Sequence, residues 1–314
     1  MKAYIIRRLL YVLPIAFLVG IIAFFLVQLS PGDPATFFVS PDAPQEQIER
    51  VRERLGLDRP IPVRFANWLG SAVRGDLGRS FYQRRPVTTA YAAAFPYTLT
   101  LAIGGLIFAL FIALPIGILS AIKQNSLLDD IARIFVLTGI SFPNFWFGML
   151  LILLFAVTLG WLPSQGMVRF SVDPIQAFRH GIMPWITLGY LNAALIARMT
   201  RSSMLDVLRQ DYIRTARAKG LAERLVIYKH ALKNAFNPIL TVIGLAIMRL
   251  VAGSVVIETV FNVPGIGRLV VNSVSRRDYP MIQGALLITA MLIVLVNLGI
   301  DLLYAVFDPR IRYD

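Results

Sequence analysis

Long apolar runs separated by short polar segments dominate the chain from its first residues to its last. Several runs reach the roughly 20 residues that a helix needs to cross the hydrocarbon core of a bilayer. The pattern predicts an all-α polytopic membrane protein with six transmembrane helices at residues 9–29, 98–122, 131–161, 182–198, 238–257 and 281–307. The third run is long enough to contain a turn at Ser141-Phe142-Pro143-Asn144. The fourth run is short and is interrupted by Gly189 and Asn192.

The polar segments divide the chain into three predicted parts. Residues 1–29 form an N-terminal flank and the first transmembrane helix, residues 30–97 a periplasmic insertion, and residues 98–314 a transmembrane core with a loop at 199–237. The first apolar run is longer than that of a secretory signal peptide, so we expect it to be retained. We expect the insertion to be structured, because apolar residues recur at helical spacing within 46–55.

The placement of charged residues predicts how the chain is oriented in the membrane. The net charge is +13, and nine Lys or Arg residues fall between Arg198 and Lys233. The positive-inside rule then places this loop and both termini in the cytosol. The 30–97 segment carries nine arginines on the opposite side, which is tolerated because long loops translocate largely regardless of charge. The absence of Cys excludes disulfides and Cys-based metal sites, and two isolated histidines suggest no metal site.

The basic segment from Asp211 to Pro238 predicts two short helices joined at a glycine. The first covers residues 212–219 and ends at Gly220, a favoured residue for closing a helix. One of its faces carries Thr215, Ala216, Lys219 and Gly220, and the small residues among them would let another surface approach closely. The second covers about 223–236 and is predicted to bury an apolar stripe of Leu225, Tyr228, Leu232 and Phe236.

Several ordered segments resemble the peptide and nickel branch of binding-protein-dependent ABC importer permeases. They are MKAYIIRRLLYVLP, LSPGDPA, LGLDRPIP, GDLGRSF, SFPNFWFG, DYIRTARAKGL, KHALKNAFNP, ETVFNVPGIGRL, RRDYP and DLLYAVFDPRIRY. Together they cover essentially the whole chain. In this family a coupling helix carries Glu-Ala-Ala-x-x-x-Gly, and the aligned residues here run from Arg214 to Gly220 without the Glu.

The resemblance implies a type I ABC importer permease fold in the bacterial inner membrane and a subunit that performs no bond chemistry. Its implied partners are a second homologous permease subunit, two cytosolic ATPase subunits or domains, an external solute-binding protein and membrane lipid, with no nucleic acid. The chain has no G-x-x-x-x-G-K-[ST] phosphate loop, so ATP and Mg²⁺ would be bound by the partner ATPases and no cofactor by this subunit. The implied ATPase-coupling residues are Asp211, Tyr212, Arg214, Thr215, Ala216, Arg217, Ala218, Lys219 and Gly220.

Polar residues within the predicted spans suggest a pathway. Arg249 lies about 12 residues into the fifth span, roughly 18 Å from its start at the rise of an α-helix. An arginine at that depth faces the bundle interior or water, so it either lines the passage and favours a carboxylate-bearing substrate or pairs with a polar group structurally. The candidate pathway residues are Arg249, Ala252, Gly253, Asn192 and Asn297. Leu245 and Val256 are predicted to share the face of Arg249, and Asn192 could instead join helices through hydrogen bonds.

Two further groups complete the candidate sites. Asp301 near the end of the last span is assigned to the cytosolic mouth. The resemblance implies a helix-turn element at an outer gate within 258–268, with candidate residues Glu258, Pro264, Gly265 and Gly267. The alternative is a simple external loop.

The substrate stays open at this point. Dipeptides or oligopeptides are implied first, and nickel chelates, glutathione and oligosaccharides are the alternatives within the same branch. A stand-alone secondary transporter or channel would need acidic residues at mid-membrane, and the spans contain few of them. An intramembrane enzyme is disfavoured because no Ser/His/Asp or paired-carboxylate arrangement stands out in the spans.

Overall fold

The computed structural model describes residues 14–25, 35–36, 39, 43–54 and 56–307, and helices dominate all of it. The helices are α1 (Pro14–Phe25), α2 (Gln45–Arg54), α3 (Ile61–Val73), α4 (Val87–Ile122), α5 (Leu127–Ser141), α6 (Asn144–Leu151), α7 (Pro174–Leu208), α8 (Asp211–Ala218), α9 (Glu223–Leu225), α10 (Lys233–Val260), α11 (Ile266–Ser275) and α12 (Tyr279–Phe307). Two π-helical turns, Ile152–Thr158 and Val226–Leu232, extend α6 and connect α9 to α10. The predicted all-α class is confirmed.

Three helical stretches in the described residues are long and apolar enough to cross a membrane. They are Val87–Ile122, Glu223–Leu250 and Tyr279–Ile300. A fourth candidate is the pair formed by α5 and the α6–π helix, which meet at an angle of 107°. The break falls at the predicted Ser141–Asn144 turn, where Pro143 caps α6.

The other two predicted spans have different outcomes. The first, 9–29, lies partly outside the described residues, and its described part is the short apolar helix α1. The fourth, 182–198, lies inside the much longer α7, which continues through Gly189 and Asn192. Gly189 brings α7 close to α4, because a Cβ there would stand 2.6 Å from the carbonyl oxygen of Gly105. The six-span count stays a prediction.

Helix α4 begins before its predicted start at 98, so the predicted 30–97 insertion ends inside a helix. Pro96 is accommodated within α4. The chain groups into two compact units. Unit 1 comprises Met1–Ala94 with Leu269–Leu295, and unit 2 comprises Phe95–Arg268 with Val296–Asp314.

Unit 1 contains an aromatic cluster between α1 and α3. The ring of Phe24 lies 5.3 Å from that of Phe65 and 5.9 Å from that of Trp68, measured between ring centroids. The predicted helix within 46–55 is present as α2. These helices show that the segment after the first apolar run is structured, as predicted.

Unit 2 is packed through small residues. Its larger hydrophobic cluster is built mostly from alanine and isoleucine of α4, α7, α8, α10 and the π-turn Val226–Leu232. A Cβ on Gly117 would lie 2.6 Å from Cβ of Thr200, and one on Gly139 would lie 2.7 Å from Cβ of Ala194. Small residues let helix backbones approach closely where apolar burial offers no drive between membrane helices.

Candidate functional site

The predicted coupling segment contains the short helix α8. It begins at Asp211 and ends at Ala218, close to the predicted 212–219. Gly220 closes it with φ of +74°, a left-handed conformation in which a side chain would be strained. The amide of Gly220 donates to the carbonyl oxygen of Arg217 at 2.9 Å, which satisfies part of the helix end.

The faces of α8 differ from the prediction in one respect. Ile213 is fully buried and Ala216 is 8% exposed, and both belong to the hydrophobic cluster of unit 2. Ala216 therefore anchors α8 to its own chain, so the prediction that it faces a partner is wrong. The opposite face of α8 is exposed and consists of Asp211, Arg214, Thr215 and Ala218. Asp211 and Arg214 form an exposed ion pair at 3.6 Å.

The segment after Gly220 enters the membrane helix without a break. Helix α9, the π-turn Val226–Leu232 and α10 follow one another directly, and no separate second helix ends near 236. The predicted inward stripe is also wrong, since Leu225 and Tyr228 are 45% and 55% exposed.

The π-turn explains this change of face. Its wider turn aligns residues five apart, so Val226 and Ala231 point inward together. The buried row then continues through Ala235 and Ile239 at α-helical spacing.

A bidentate ion pair spans the turn at Gly220. Arg217 donates from Nη2 to Oε1 of Glu223 at 2.7 Å and from Nε to Oε2 at 3.2 Å. The Glu223 carboxylate raises the pKa of the Arg217 guanidinium. This pair joins the end of α8 to the start of the continuous helical segment.

A buried charge cluster that sequence reasoning missed lies in the same unit. Asp129 of α5 is completely buried and accepts from Nε and Nη2 of Arg201, both at 2.8 Å. Arg133 donates to the same carboxylate at 2.6 Å, and the hydroxyl of Ser120 donates to it at 2.5 Å. The amide of Asn125 supplies a further bond at 3.0 Å. The cluster fixes the α4–α5 connection to α7.

Sequence position gave little sign of this cluster. Arg201 lies 72 residues from Asp129 and was counted only as part of the basic loop. The available signal was the helix-start pair Asp129-Asp130, which suits the positive end of a helix but does not identify a partner.

Arg249 lies on an exposed face of α10 together with Leu245, Gly253 and Val256, as their spacing predicted. Its guanidinium has no ion pair or hydrogen bond within the described part of the chain. A Cβ built on Gly253 would meet no atom within 4 Å, so there is open space one turn from the arginine. The side chain of Ala252 lies outside the described residues. The structure is therefore compatible with a pathway position for Arg249, which stays a prediction.

The other pathway candidates are placed differently. Asn192 is 3% exposed, and its amide donates to the Leu188 carbonyl of its own helix at 3.0 Å. It does not line an open face of this chain, and the bond stays within α7, so a role of Asn192 between helices stays a prediction. Asn297 is half-buried on α12. The side chain of Asp301 lies outside the described residues.

The predicted outer-gate residues form a tightly bonded turn. Glu258 at the end of α10 is fully buried and accepts from the Thr98 hydroxyl at 2.7 Å and from the Arg268 amide at 2.9 Å. Thr98 in turn accepts from the Ile266 amide at 2.8 Å. A Cβ on Gly265 would overlap the Glu258 carboxyl group, so glycine is required there.

This arrangement satisfies the start of α11 with a carboxylate and a hydroxyl, as is favourable at a helix N-terminus. Gly267 allows a second close approach, because a Cβ there would stand 2.5 Å from Cα of Val255. Pro264 precedes α11 and is exposed. The predicted helix-turn element is thus present, and its role as a gate stays a prediction.

The short helix α8, joined by a turn to a continuous apolar helix, is the arrangement that the resemblance to ABC importer permeases implied. The family model for the binding-protein-dependent transport system inner membrane component matches residues 113–313, and the model for the N-terminal part of such membrane components matches residues 1–102. The chain belongs to this family. It is a transport subunit and not a catalytic enzyme, and the prediction of an ABC permease over a stand-alone transporter is confirmed.

Full-length relatives refine this assignment. The glutathione transport system permease protein GsiC of Escherichia coli O6:H1 is 45% identical over 313 residues, covering 100% of both chains. GsiC of Escherichia coli K12 is 44% identical over the same length. The predicted resemblance to the peptide and nickel branch is confirmed by these relatives.

Solved structures support the fold. An inward-facing MetNI methionine ABC transporter matches with a TM-score of 0.56 at 19% identity, covering 70% of this chain and 97% of the matched chain. An amino acid ABC transporter crystallised with histidines matches with a TM-score of 0.51 at 16% identity, covering 71% of this chain and 95% of the other. At these identities the likeness concerns the fold alone.

Proposed function

We propose that this chain forms half of the translocation pathway for glutathione or another anionic, peptide-like solute. The observation that supports this proposal is Arg249, an exposed cation on α10 without a partner in the described part of the chain. An intramembrane arginine is expected to face a partner or a water-filled passage. Relatives named as glutathione permeases support an anionic substrate, because glutathione carries two carboxylates and one ammonium group at neutral pH.

The proposed assembly follows from the family and from the coupling segment. A second homologous permease would supply the other half of the pathway, and a solute-binding protein would deliver the substrate from outside. Two ATPase subunits would contact the exposed face of α8 and bind all ATP and Mg²⁺. The basic segments would place both termini and α8 on the cytosolic side of the bacterial inner membrane.

The mechanism is alternating access without bond chemistry in this subunit. Closure of the ATPases would push α8, and the Arg217–Glu223 pair would pass that motion to the continuous α9–π–α10 segment. The turn at Glu258 would respond at the far end of α10. Hydrolysis and release would reset the inward-open state.

Uptake by the reconstituted importer tests the substrate assignment. Arg249→Gln should lower glutathione uptake about tenfold or more, because a hydrogen-bonded charge contact is lost in the passage. Uptake of a neutral glutathione diester should fall much less. Arg249→Lys should retain part of the glutathione rate. Leu245→Gln, one turn away on the same exposed face, is the matched control and should transport both solutes normally.

Glutathione uptake at the wild-type rate by Arg249→Gln would reject the pathway role. Uptake by this chain alone, without ATPases or ATP, would reject the importer assembly and favour a stand-alone transporter.

A further inference from the structure

Two loops of unit 1 that the transport mechanism does not use are held together by one buried carboxylate. Asp278, just before α12, is 2% exposed and binds the hydroxyl of Ser80, which is equally buried. The same carboxylate accepts from the amide of Phe81 at 3.0 Å and from that of Tyr82 at 3.3 Å. These bonds join positions nearly two hundred residues apart in sequence.

The loop after α3 is further closed by its own backbone. Val87 donates to the carbonyl of Gly78 at 3.0 Å, and Ser80 donates to that of Arg85 at 3.0 Å. The loop is therefore a rigid scaffold and not a flexible connection, because its backbone polar groups form hydrogen bonds within the loop.

This scaffold displays five arginines, which we call the arginine patch: Arg79, Arg84, Arg85, Arg276 and Arg277. All five are exposed. Nearby, Asp278 is buried, and the carboxylate of Asp76 accepts from the backbone amide of Gly78 at 2.9 Å. Within the described residues neither carboxylate forms an ion pair with Arg79, Arg84, Arg85 or Arg276, so this surface is strongly positive.

Several of these side chains are held in place. Arg276 lies over the ring of Tyr82, with Cζ 3.5 Å from the ring centroid. Arg79 donates to the Arg84 carbonyl at 2.9 Å, and Arg85 donates to Gln83 at 2.6 Å. An arginine side chain that is already ordered loses less conformational entropy on binding a carboxylate than a mobile one does.

The backbone gives a second, independent sign. Arg84 and Arg277 adopt left-handed conformations with φ of 54° and 51°. Glycine or asparagine fits such positions with less strain, and non-glycine strain of this kind concentrates at functional surfaces. Arg84 and Arg277 therefore each place an arginine side chain at a turn position that most residues occupy less readily.

We propose that the arginine patch is a docking surface for an acidic face of the solute-binding protein. Both loops directly precede predicted spans that run inward, so both are predicted on the outer side. There the positive-inside rule gives no reason for arginines, whereas an acidic protein partner does. Exposed Tyr82 lies among them at 61% exposure, and tyrosine with arginine is the composition of protein interfaces.

The inference rests on the proposed function in one respect, that a separate binding protein delivers the solute. The test measures association directly and does not depend on which solute is carried. The complete importer is placed in nanodiscs of neutral lipid and of anionic lipid. Its dissociation constant for the solute-binding protein is measured at about 50 mM and about 200 mM salt, which changes the screening length about twofold.

The Arg84→Glu/Arg85→Glu double variant should bind about tenfold or more weakly at the lower salt, because attraction becomes repulsion. Its dissociation constant should also depend less steeply on salt than that of the wild type. Arg50→Glu/Arg59→Glu reverses two exposed arginines of the same unit outside the patch, and should stay within about twofold of the wild type. Arg84→Gln/Arg85→Gln gives the intermediate effect and serves if the reversal does not assemble with its partners on size-exclusion chromatography.

Equal dissociation constants for the wild type and Arg84→Glu/Arg85→Glu would overturn the inference. So would a loss that occurs only in anionic nanodiscs, since that outcome assigns the patch to lipid phosphates. If the wild type binds its partner through the arginines but does not import glutathione, the substrate assignment fails and the docking surface stands.

Discussion

Neutralising Asp129 should destabilise this subunit far more than neutralising the adjacent Asp130. Asp129 is fully buried and serves two guanidinium groups, a hydroxyl and an amide. Asp130 has an exposed side chain whose carboxylate lies 3.5 Å from Arg133. The two positions allow the same Asp→Asn substitution, so the comparison isolates burial and bonding.

The size of the effect follows from what each variant leaves behind. Asp129→Asn leaves Arg201, whose side chain is 25% exposed, without a counter-charge, which costs about 3 kcal/mol. Arg201→Gln should cost less, nearer 1.5 kcal/mol, because Asp129 keeps Arg133 and its neutral donors. Asp130→Asn should stay within about 0.5 kcal/mol, as for exposed ion pairs.

The free energy of unfolding is measured on purified subunits by SDS titration in mixed micelles, followed by tryptophan fluorescence. The Asp129→Asn/Arg201→Gln double variant should recover part of the loss, since the unpaired guanidinium is gone. If Asp129→Asn and Asp130→Asn unfold at the same SDS fraction, the buried cluster does not stabilise the fold as argued.

Two further comparisons use matched positions. Gly265→Ala should cost about 1–3 kcal/mol in the same titration, because the new methyl group would overlap the Glu258 carboxyl, whereas Gly253→Ala should be nearly neutral since its Cβ meets open space. Similar losses at both glycines would contradict this. Ala218→Leu should leave the subunit folded but reduce transport per ATP hydrolysed in the assembled importer, while Ala216→Leu should instead displace α8 and lower stability by about 1–3 kcal/mol. Normal coupling in Ala218→Leu would show that the exposed face of α8 is not the ATPase contact.

Local signals in the sequence were sufficient for α8. An acidic residue in its first turn and Gly220 after its last turn define a short helix without reference to the rest of the chain. The buried face next to it was predicted wrongly, because an α-helical period was assumed across the π-turn Val226–Leu232. Amino-acid composition does not indicate a π-turn, whose hydrogen bonds span one residue more than those of an α-helix, and with this change of period Leu225 and Tyr228 are exposed.

Tertiary contacts decided what local signals could not. Gly189, which interrupts the fourth apolar run in the sequence, lets α7 approach α4 closely. The main partner of Asp129 is Arg201, which is distant in sequence and becomes its neighbour only through the tertiary fold. Glu258 was selected as a gate residue from its motif, but its bonds to Thr98 and to the start of α11 required the structure.

The positions along α10 suggest how one helix could serve both coupling and passage. Glu258 fixes one end through Thr98, and the α8 contact lies beyond the other end at Lys233. At 1.5 Å per residue, Arg249 is about 14 Å from Glu258 and Lys233 is about 38 Å from it. If α10 tilts about the Glu258 end as a rigid rod, a displacement at Lys233 moves Arg249 by about one third as much. The Ala218 coupling assay and the Arg249 uptake assay therefore probe two points on the same lever, and a coupling defect should reduce uptake of charged and neutral solutes alike.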